Sequence, residues 1–382
     1  MFNDFLSYIT LNLANGLMLV FMFVFLIQLL YYWVIFSRLA FFKNKKYISD
    51  NKPVSIIVCA RNEYKNLDEF LPKILEQKYP KFEVLLVNDD NETETDFLLS
   101  DLKLKYKNFR VIDVNNSISF IKGKKFAISV GIKTSSYDKI LLTDADCYPS
   151  SENWLMNMQA AFSDKKEIVI GYNRYEREKG FFNKLVRFDC ACNAIKYLSF
   201  CAAGIPYKGV GQNLAYTKSL FNKQNGFTSH YSIPYGDDDI FVNKSIIKNN
   251  AVPVYNHDSH TISIAPKSYD VWLRQKYRNF ITRQHYRFLT QLSLGFYNFS
   301  TYLFYILLIL LPIIDSENLI NLIVISGMFF VRLISQILIF KGALEKLNEK
   351  GLILLVPFFE LFFLFYNPIM IFSKSFNQNK WK

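Results

Sequence analysis

Cysteine is scarce in this 382-residue chain, with five residues at positions 59, 147, 190, 192 and 201. Their spacing gives neither a disulfide framework nor the paired Cys-x-x-Cys of a zinc site, and Cys190-Ala191-Cys192 stands too isolated to count as one. Free thiols in a reducing cytoplasm are the expectation that remains. Charge is missing from residues 11–36, which contain no Asp, Glu, Lys or Arg. That run is long enough to cross a bilayer and too long for the core of a signal peptide. No small-residue cleavage site follows it, so an uncleaved anchor is expected. Nucleic-acid motifs are also absent. The net charge of +12 comes from bases clustered beside apolar segments, where anionic lipid headgroups attract them, so membrane lipids are the expected partner and nucleic acid is not.

Three further apolar segments crowd the C-terminus, at roughly 296–314, 319–340 and 351–372. Between them and the anchor lies a mixed α/β stretch large enough for one domain with a sizeable core. The expected organisation is an anchor region at 1–46, a cytoplasmic domain at 47–290 and a C-terminal membrane region at 291–382. Basic residues set the orientation. None precedes the first span, while Arg38, Lys43, Lys45 and Lys46 follow it, and Lys267, Arg274, Lys276, Arg278, Arg283 and Arg287 precede the second. The link 315–318 carries no base and belongs outside; Lys341, Lys346 and Lys350 place the next link inside. The last segment is interrupted by Pro357, Glu360, Asn367 and Pro368, and full crossing would export Lys374, Lys380 and Lys382 against the rule. A re-entrant or interfacial element therefore stands beside full crossing. Arg332 and Glu360 fall at similar membrane depth, which predicts that they pair.

Within the central domain, Pro53 opens a strand, Val54 to Cys59, that runs into the polar turn Arg61-Asn62-Glu63. Leu67, Phe70, Leu71 and Ile74 recur at helical spacing. A second strand, Phe82 to Val87, ends in Asn88-Asp89-Asp90, and a third covers Arg110 to Val114. Gly123-Lys124-Lys125 opens a helix expected to close at Gly131. The run Lys139 to Thr143 then ends in Asp144-Ala145-Asp146. Four strand–helix alternations with short connections predict an α/β fold with a layered, largely parallel sheet. Ligands bind at the carboxyl ends of such strands, and paired hard oxygens there suit Mg²⁺ or Mn²⁺ on a substrate phosphate. Acidic pairs also occur in solvated loops and helix caps, so the surroundings decide. Lys208-Gly209-Val210-Gly211-Gln212-Asn213 follows no clear strand into a helix and is not a dinucleotide fingerprint.

Five blocks occur in order: Val58-Cys59-Ala60-Arg61-Asn62-Glu63, Val87-Asn88-Asp89-Asp90, Thr143-Asp144-Ala145-Asp146, Gly236-Asp237-Asp238-Asp239 and Trp272-Leu273-Arg274-Gln275-Lys276-Tyr277-Arg278-Asn279. From about Val54 to Tyr286 they resemble the membrane-bound family 2 glycosyltransferases, which have a GT-A-type nucleotide-sugar-binding fold. The resemblance implies that Asp89 receives the donor base, uracil being favoured, with Glu63 nearby. It places Asp144 near the ribose and metal, and Asp146 on the metal bridging the donor diphosphate. Asp238 is then the catalytic base, with Asp237 and Asp239 as alternatives in the same run. Gln275 and Arg278 contact the diphosphate or cap the acceptor channel, and residues 208–213 line the acceptor side. Lys124 faces the donor or simply flanks a helix start. His257 is a third metal ligand or a structural residue. Asp90 and Asn91 replace the family's usual Gly and Ser, which leaves the nucleotide open.

Asn279 stands where the family's Gln-x-x-Arg-Trp motif has Trp, which weakens a processive-polymerase reading; the few membrane segments also favour single-sugar addition. A basic amphipathic helix resting on the membrane accounts for Arg274, Lys276 and Arg283 without a substrate role. The expected activity is metal-dependent, inverting transfer of a hexose or N-acetylhexosamine from a nucleotide diphosphate sugar to a lipid-linked glycan or polysaccharide. The setting is a bacterial-type inner membrane, spanned several times, with the catalytic domain cytoplasmic. A nucleotidyltransferase would share the phosphate grip without needing a base at 238, and a non-catalytic nucleotide-sugar-binding subunit would need no turnover.

Overall fold

The computed structural model describes residues 2–42, 47–89, 93–114 and 123–375. Lys43, Lys45, Lys46, Asp90, Asn91, Lys380 and Lys382, used above, lie outside the described residues. The chain divides into two compact units, one of residues 42–287 with 346–348, the other of the remaining N- and C-terminal segments.

The N-terminal segment is helical, with α1 (Phe2–Leu30), a π-helical stretch Tyr31–Phe36 and α2 (Ser37–Ala40). The globular unit follows with β1 (Val54–Ala60), α3 (Tyr64–Leu75), β2 (Phe82–Asn88), α4 (Thr93–Lys105), β3 (Phe109–Asp113) and α5 (Lys124–Thr134). Next come β4 (Lys139–Asp144), β5 (Cys147–Pro149), α6 (Trp154–Ala160), β6 (Ile168–Ile170), β7 (Asn173–Tyr175), α7 (Phe181–Ala202), β8 (Leu214–Thr217) and α8 (Lys218–Lys223). The unit closes with α9 (Asp239–Ser245), β9 (Ala251–Pro253), β10 (Thr261–Ser263) and α10 (Tyr269–Arg283).

Seven strands form one sheet in the order β3-β2-β1-β4-β8-β6-β9. Strands β3, β2, β1 and β4 are parallel, while β8 runs antiparallel to both β4 and β6. Near-continuous burial of β1 and β2 fits parallel strands covered on both faces. Strand alternation divides the core: Ile56 and Val58 join Leu67, Leu71 and Ile74 of α3 with Trp154 and Met158 of α6. Ile57 points the other way, onto α5. Helix α5 does not close at Gly131 but continues to Thr134. Gly131 is there because a Cβ would come within 2.8 Å of Ile57 and 3.0 Å of Val87, so the small residue permits helix–sheet contact rather than ending the helix. A second, three-stranded sheet has the order β5-β10-β7.

The chain runs outward from β1 to β2 and β3, then returns to β4 on the other side of β1. That reversal is a topological switch point, and it opens a crevice at the carboxyl ends of β1 and β4.

The second unit contains α1, α2, α11 (Phe288–Ile314), α12 (Leu319–Lys346, to Glu345) and α13 (Val356–Ser375). Among the described residues, four helical stretches are long and apolar enough to cross a membrane: Leu13–Ala40, Phe288–Ile314, Leu319–Lys346 and Ile353–Met370. Met18, Phe21 and Val24 of α1 pack with Phe304, Leu307 and Leu311 of α11. Amid this apolar packing lies a polar knot. Arg332 Nη2 meets Glu360 Oε1 at 2.6 Å and Gln28 Oε1 at 3.2 Å, and the Tyr305 hydroxyl donates to Glu360 at 2.8 Å. The expected Arg332–Glu360 pair is thus present, with Arg332 fully buried.

Candidate functional site

Strand β4 ends at Asp144 in the large sheet, and β5 begins at Cys147 in the small one. The turn between them turns Ala145 into the core and leaves Asp144 and Asp146 partly buried at the switch point. Burial first, then the charge of Asp144, pushes the Asp146 carboxyl up to about 6; the Cys147 thiol and Lys124 pull the other way. Glu63 adds further negative charge to this group. Glu63 itself precedes α3 and accepts from Asn66 Nδ2 at 2.5 Å. Asp89 lies at the end of β2, one strand further out, and its carboxylate is 3.7 Å from the Arg61 guanidinium. β1 lies between β2 and β4, and Asp144 is level with Val87 across it, so Asp89 stands two strands away and two residues further along.

Lys124 joins these groups to the acidic block. Its ammonium is 2.7 Å from Asp144 Oδ1 and 3.6 Å from Asp237 Oδ2. Burial opposes that charge, but Asp144 and Asp237 outweigh it and hold the ammonium above its ordinary range. A small cavity beneath is lined by Cys59, Lys124, Thr143, Asp144, Gly211 and Asp237.

The three consecutive aspartates go three ways. Asp237 faces Lys124. Asp239 is 2% exposed and accepts from the Thr282 hydroxyl and, at 2.7 Å, from the Tyr286 hydroxyl. Asp238 precedes α9 as its N-cap and accepts the amides of Asp239 (2.6 Å) and Gly211 (2.9 Å). Burial first, then the charges of Asp239 and Asp237, pushes its carboxyl up to about 7, against Lys208 and Lys124. The turn before it requires Gly236, which has φ +96° and leaves no room for a Cβ beside Ile240.

The 272–279 block lies on α10. Gln275 Oε1 accepts from the Tyr175 hydroxyl at 3.0 Å, and Asp146 and Asp189 are among the charges acting on Tyr175. Arg278 stacks over the Tyr235 ring at 5.1 Å. Lys276 departs from the membrane-surface expectation. Its side chain is 13% exposed, 2.8 Å from Asp189 Oδ1, and Trp272 Nε1 donates to the same carboxylate at 3.0 Å. The Trp272 ring and the partly buried Asp189 draw this lysine inward. Arg274 and Arg283 are exposed. His257 is also exposed, at the far end of the β5–β10 ladder, where its carbonyl accepts from Ser150. None of the five cysteines is joined in a disulfide.

Among the described residues, no group of three His, Cys, Asp or Glu side chains converges as a complete metal cage. Asp144 and Asp146 nonetheless fit Mg²⁺ or Mn²⁺. They are hard oxygen donors close enough to perturb each other, and Mg²⁺ commonly takes one or two carboxylates with the rest from substrate phosphate and water. Sequence reasoning missed the division of labour among Asp237, Asp238 and Asp239, and missed Tyr175 beside Gln275. Only the glycine before the acids signalled a sharp turn.

The family model of glycosyl transferase family 2 matches residues 55–227. Poly-beta-1,6-N-acetyl-D-glucosamine synthase of Staphylococcus aureus is 27% identical over 130 residues, 30% of this chain and 29% of that protein. The Staphylococcus epidermidis enzyme of the same name is 26% identical over 126 residues, again 30% and 29%. The chain thus spans 29% of the length of the curated relatives it matches. Mannosyltransferase PcManGT from Pyrobaculum calidifontis, in complex with GDP-Man and Mn²⁺, superposes at a TM-score of 0.55 and 17% identity. That match covers 88% of this chain and 99% of the other. At such identity the likeness is one of fold, and the fold is GT-A-like.

Proposed function

We propose that this chain, whose residues 55–227 match the family model of glycosyl transferase family 2, is a membrane-bound, inverting glycosyltransferase. It moves a hexose or N-acetylhexosamine from a nucleotide diphosphate sugar, a uridine diphosphate sugar foremost, to a lipid-linked glycan or polysaccharide. The observation that carries the reading is Lys124, whose ammonium ties Asp144 on the donor side to Asp237 beside the base. Relatives named as N-acetylglucosamine polymer synthases support the sugar class.

In this mechanism Asp89 accepts a hydrogen bond from the donor base, with Glu63 close by. Asp144 and Asp146 are the residues that would hold Mg²⁺ or Mn²⁺; bound there, the cation offsets charge on the departing diphosphate. Lys124 orients the two carboxylate groups it touches. Gln275, positioned by Tyr175, and Arg278 border the diphosphate or acceptor channel, where a guanidinium suits phosphate oxygens. A sugar hydroxyl is a weak nucleophile at neutral pH, and Asp238 takes its proton as it attacks the anomeric carbon. Attack opposite the leaving diphosphate inverts that carbon. The four apolar helices and the basic residues flanking the domain support a multi-pass protein of a bacterial-type inner membrane, with the transferase unit cytoplasmic.

The test is purified full-length protein in detergent with a panel of nucleotide sugars, with and without Mn²⁺, following nucleoside diphosphate release and product length. Mn²⁺-dependent release with sugar transfer is expected. Pyrophosphate release from a nucleoside triphosphate, or donor binding without any turnover, would overturn the reading. Product length separates single addition from repeated addition.

A further inference from the structure

Lys124 and Lys125 are consecutive on the first turn of α5, yet their ammonium groups serve different partners. Lys124 reaches Asp144 and Asp237. Lys125 is 5% exposed and donates to the carbonyl oxygens of His230 at 2.7 Å and Ile233 at 2.8 Å. Burying an ammonium on neutral carbonyls is costly, and burial lowers its hold on the proton. The charges of Asp237 and Asp239 act in the opposite sense.

Those carbonyls belong to the segment that runs directly into Asp237 and Asp238. His230 supplies a second tie, with Nε2 3.0 Å from the Gly236 carbonyl and Nδ1 3.0 Å from the Ser229 hydroxyl. A carbonyl only accepts, so Nε2 carries the proton and Nδ1 accepts from Ser229. Burial first, then Lys125 and Lys244, holds His230 down to about 4, so the imidazole is neutral at pH 7. The segment is therefore pinned at 230 and 233 by Lys125, and at 236 by His230, one residue before the acidic block.

We propose that Lys125 is a positioning residue for the base: its ammonium fixes the 228–237 segment so that Asp238 meets the Gly211 amide. Because Lys124 shares its helical turn, the donor-phosphate side and the acceptor side of the site are held by one short piece of α5. The proposal rests on the glycosyl-transfer reading, in which Asp238 accepts the proton. The charged and titratable groups facing Asp238 are Asp237 and Asp239 on its own segment, Lys208 before β8, and Lys124 and Lys125 of α5. Tyr197 of α7, Tyr216 of β8 and Tyr286 after α10 also face it. Removing the Lys125 charge withdraws a cation from this group, so Asp238 holds its proton to higher pH.

The test compares wild type, Lys125→Met and Lys125→Arg as full-length proteins. Lys125→Met is expected to lower kcat about 10- to 100-fold, the scale of a small misplacement at a reacting centre, with donor KM nearly unchanged. Its rising pH–rate limb moves upward, and amide hydrogen exchange over 228–242 quickens. Lys125→Arg, which keeps the charge and the donors, recovers part of kcat and returns the pH limb. Unchanged kcat and pH limb in folded Lys125→Met would overturn the proposal. So would exchange that quickens across the whole sheet with donor binding lost in step, since that marks general destabilisation. Should Lys125→Met not fold, Lys125→Gln, which still donates, carries the same comparison, with a smaller kcat loss expected and none overturning the proposal. If wild type itself releases no diphosphate, the functional reading fails, while exchange over 228–242 still tests the anchor.

Discussion

The Gly211 amide donates to Asp238 Oδ2 at 2.9 Å. The contact fixes one carboxylate oxygen beside the 208–213 segment, and it joins the switch-point crevice to the start of α9. A backbone donor at this place stabilises the ionised form, yet burial and two neighbouring aspartates win and push the group up to about 7.

That balance sets a pH dependence. A base must be deprotonated to act, and a carboxyl raised from its usual 3.8 to about 7 is protonated across the acidic range. The expected kcat/KM therefore rises with pH, about tenfold per unit below pH 7, and levels above it. Asp238→Asn should cut transfer about 100-fold or more while nucleoside diphosphate still binds. Both are read from initial rates of diphosphate release and equilibrium binding. Normal transfer by Asp238→Asn would remove the residue from the base position.

Asp146 is expected to matter for a different step. With Asp144 beside it and its own proton held up to about 6, it gains most from a divalent cation. Asp146→Ala should weaken Mn²⁺-dependent donor binding at least about tenfold, or about 1.4 kcal/mol, as measured by calorimetry with and without Mn²⁺. Binding with unaltered Mn²⁺ dependence would take Asp146 out of the metal site.

How much of this was legible follows the kind of signal involved. Strands β1, β2 and β4 were readable because buried parallel strands are nearly continuous apolar runs, and each ends in a polar turn. Asp144 and Asp146 stood out for the same reason. Gly131 misled because a glycine late in a helical pattern resembles a C-terminal signal, whereas Ile57 and Val87 demand it for close packing. Lys276 misled because a basic helix face looks suited to a membrane surface until Asp189 and Trp272 are known to hold it. The run Asp237-Asp238-Asp239 has no periodicity to read. Where each carboxylate points depends on the turn at Gly236 and on partners as far away in the chain as Lys124 and Tyr286.

Asp239 should act on stability rather than chemistry. Its buried carboxylate anchors α9 to Thr282 of α10 and to Tyr286. Asp239→Ala strands both hydroxyls and is expected to cost about 1–3 kcal/mol, read as a lower midpoint of thermal unfolding. Tyr286→Phe removes one donor and should cost about 1 kcal/mol. Coupling between the two changes in a double-mutant cycle checks the contact. Additive losses would mean that Tyr286 and Asp239 do not support each other.

Arg332 and Glu360 make the case for pairing inside the apolar unit. Arg332 is fully buried, and its guanidinium is held by Glu360 and Gln28 with the Tyr305 hydroxyl alongside. Removing one member leaves the other's charge unpaired, which typically costs about 3–5 kcal/mol, whereas replacing both with uncharged residues of similar volume is often tolerated. Arg332→Met is therefore expected to lower detergent stability sharply and to reduce the yield of folded protein. Arg332→Met combined with Glu360→Gln should recover most of both. Thermal unfolding in one detergent across wild type, the two single variants and the double variant reads the effect. A double variant no better than Arg332→Met would show that the guanidinium acts through its other contacts, with Gln28 and the surrounding rings, rather than through the carboxylate.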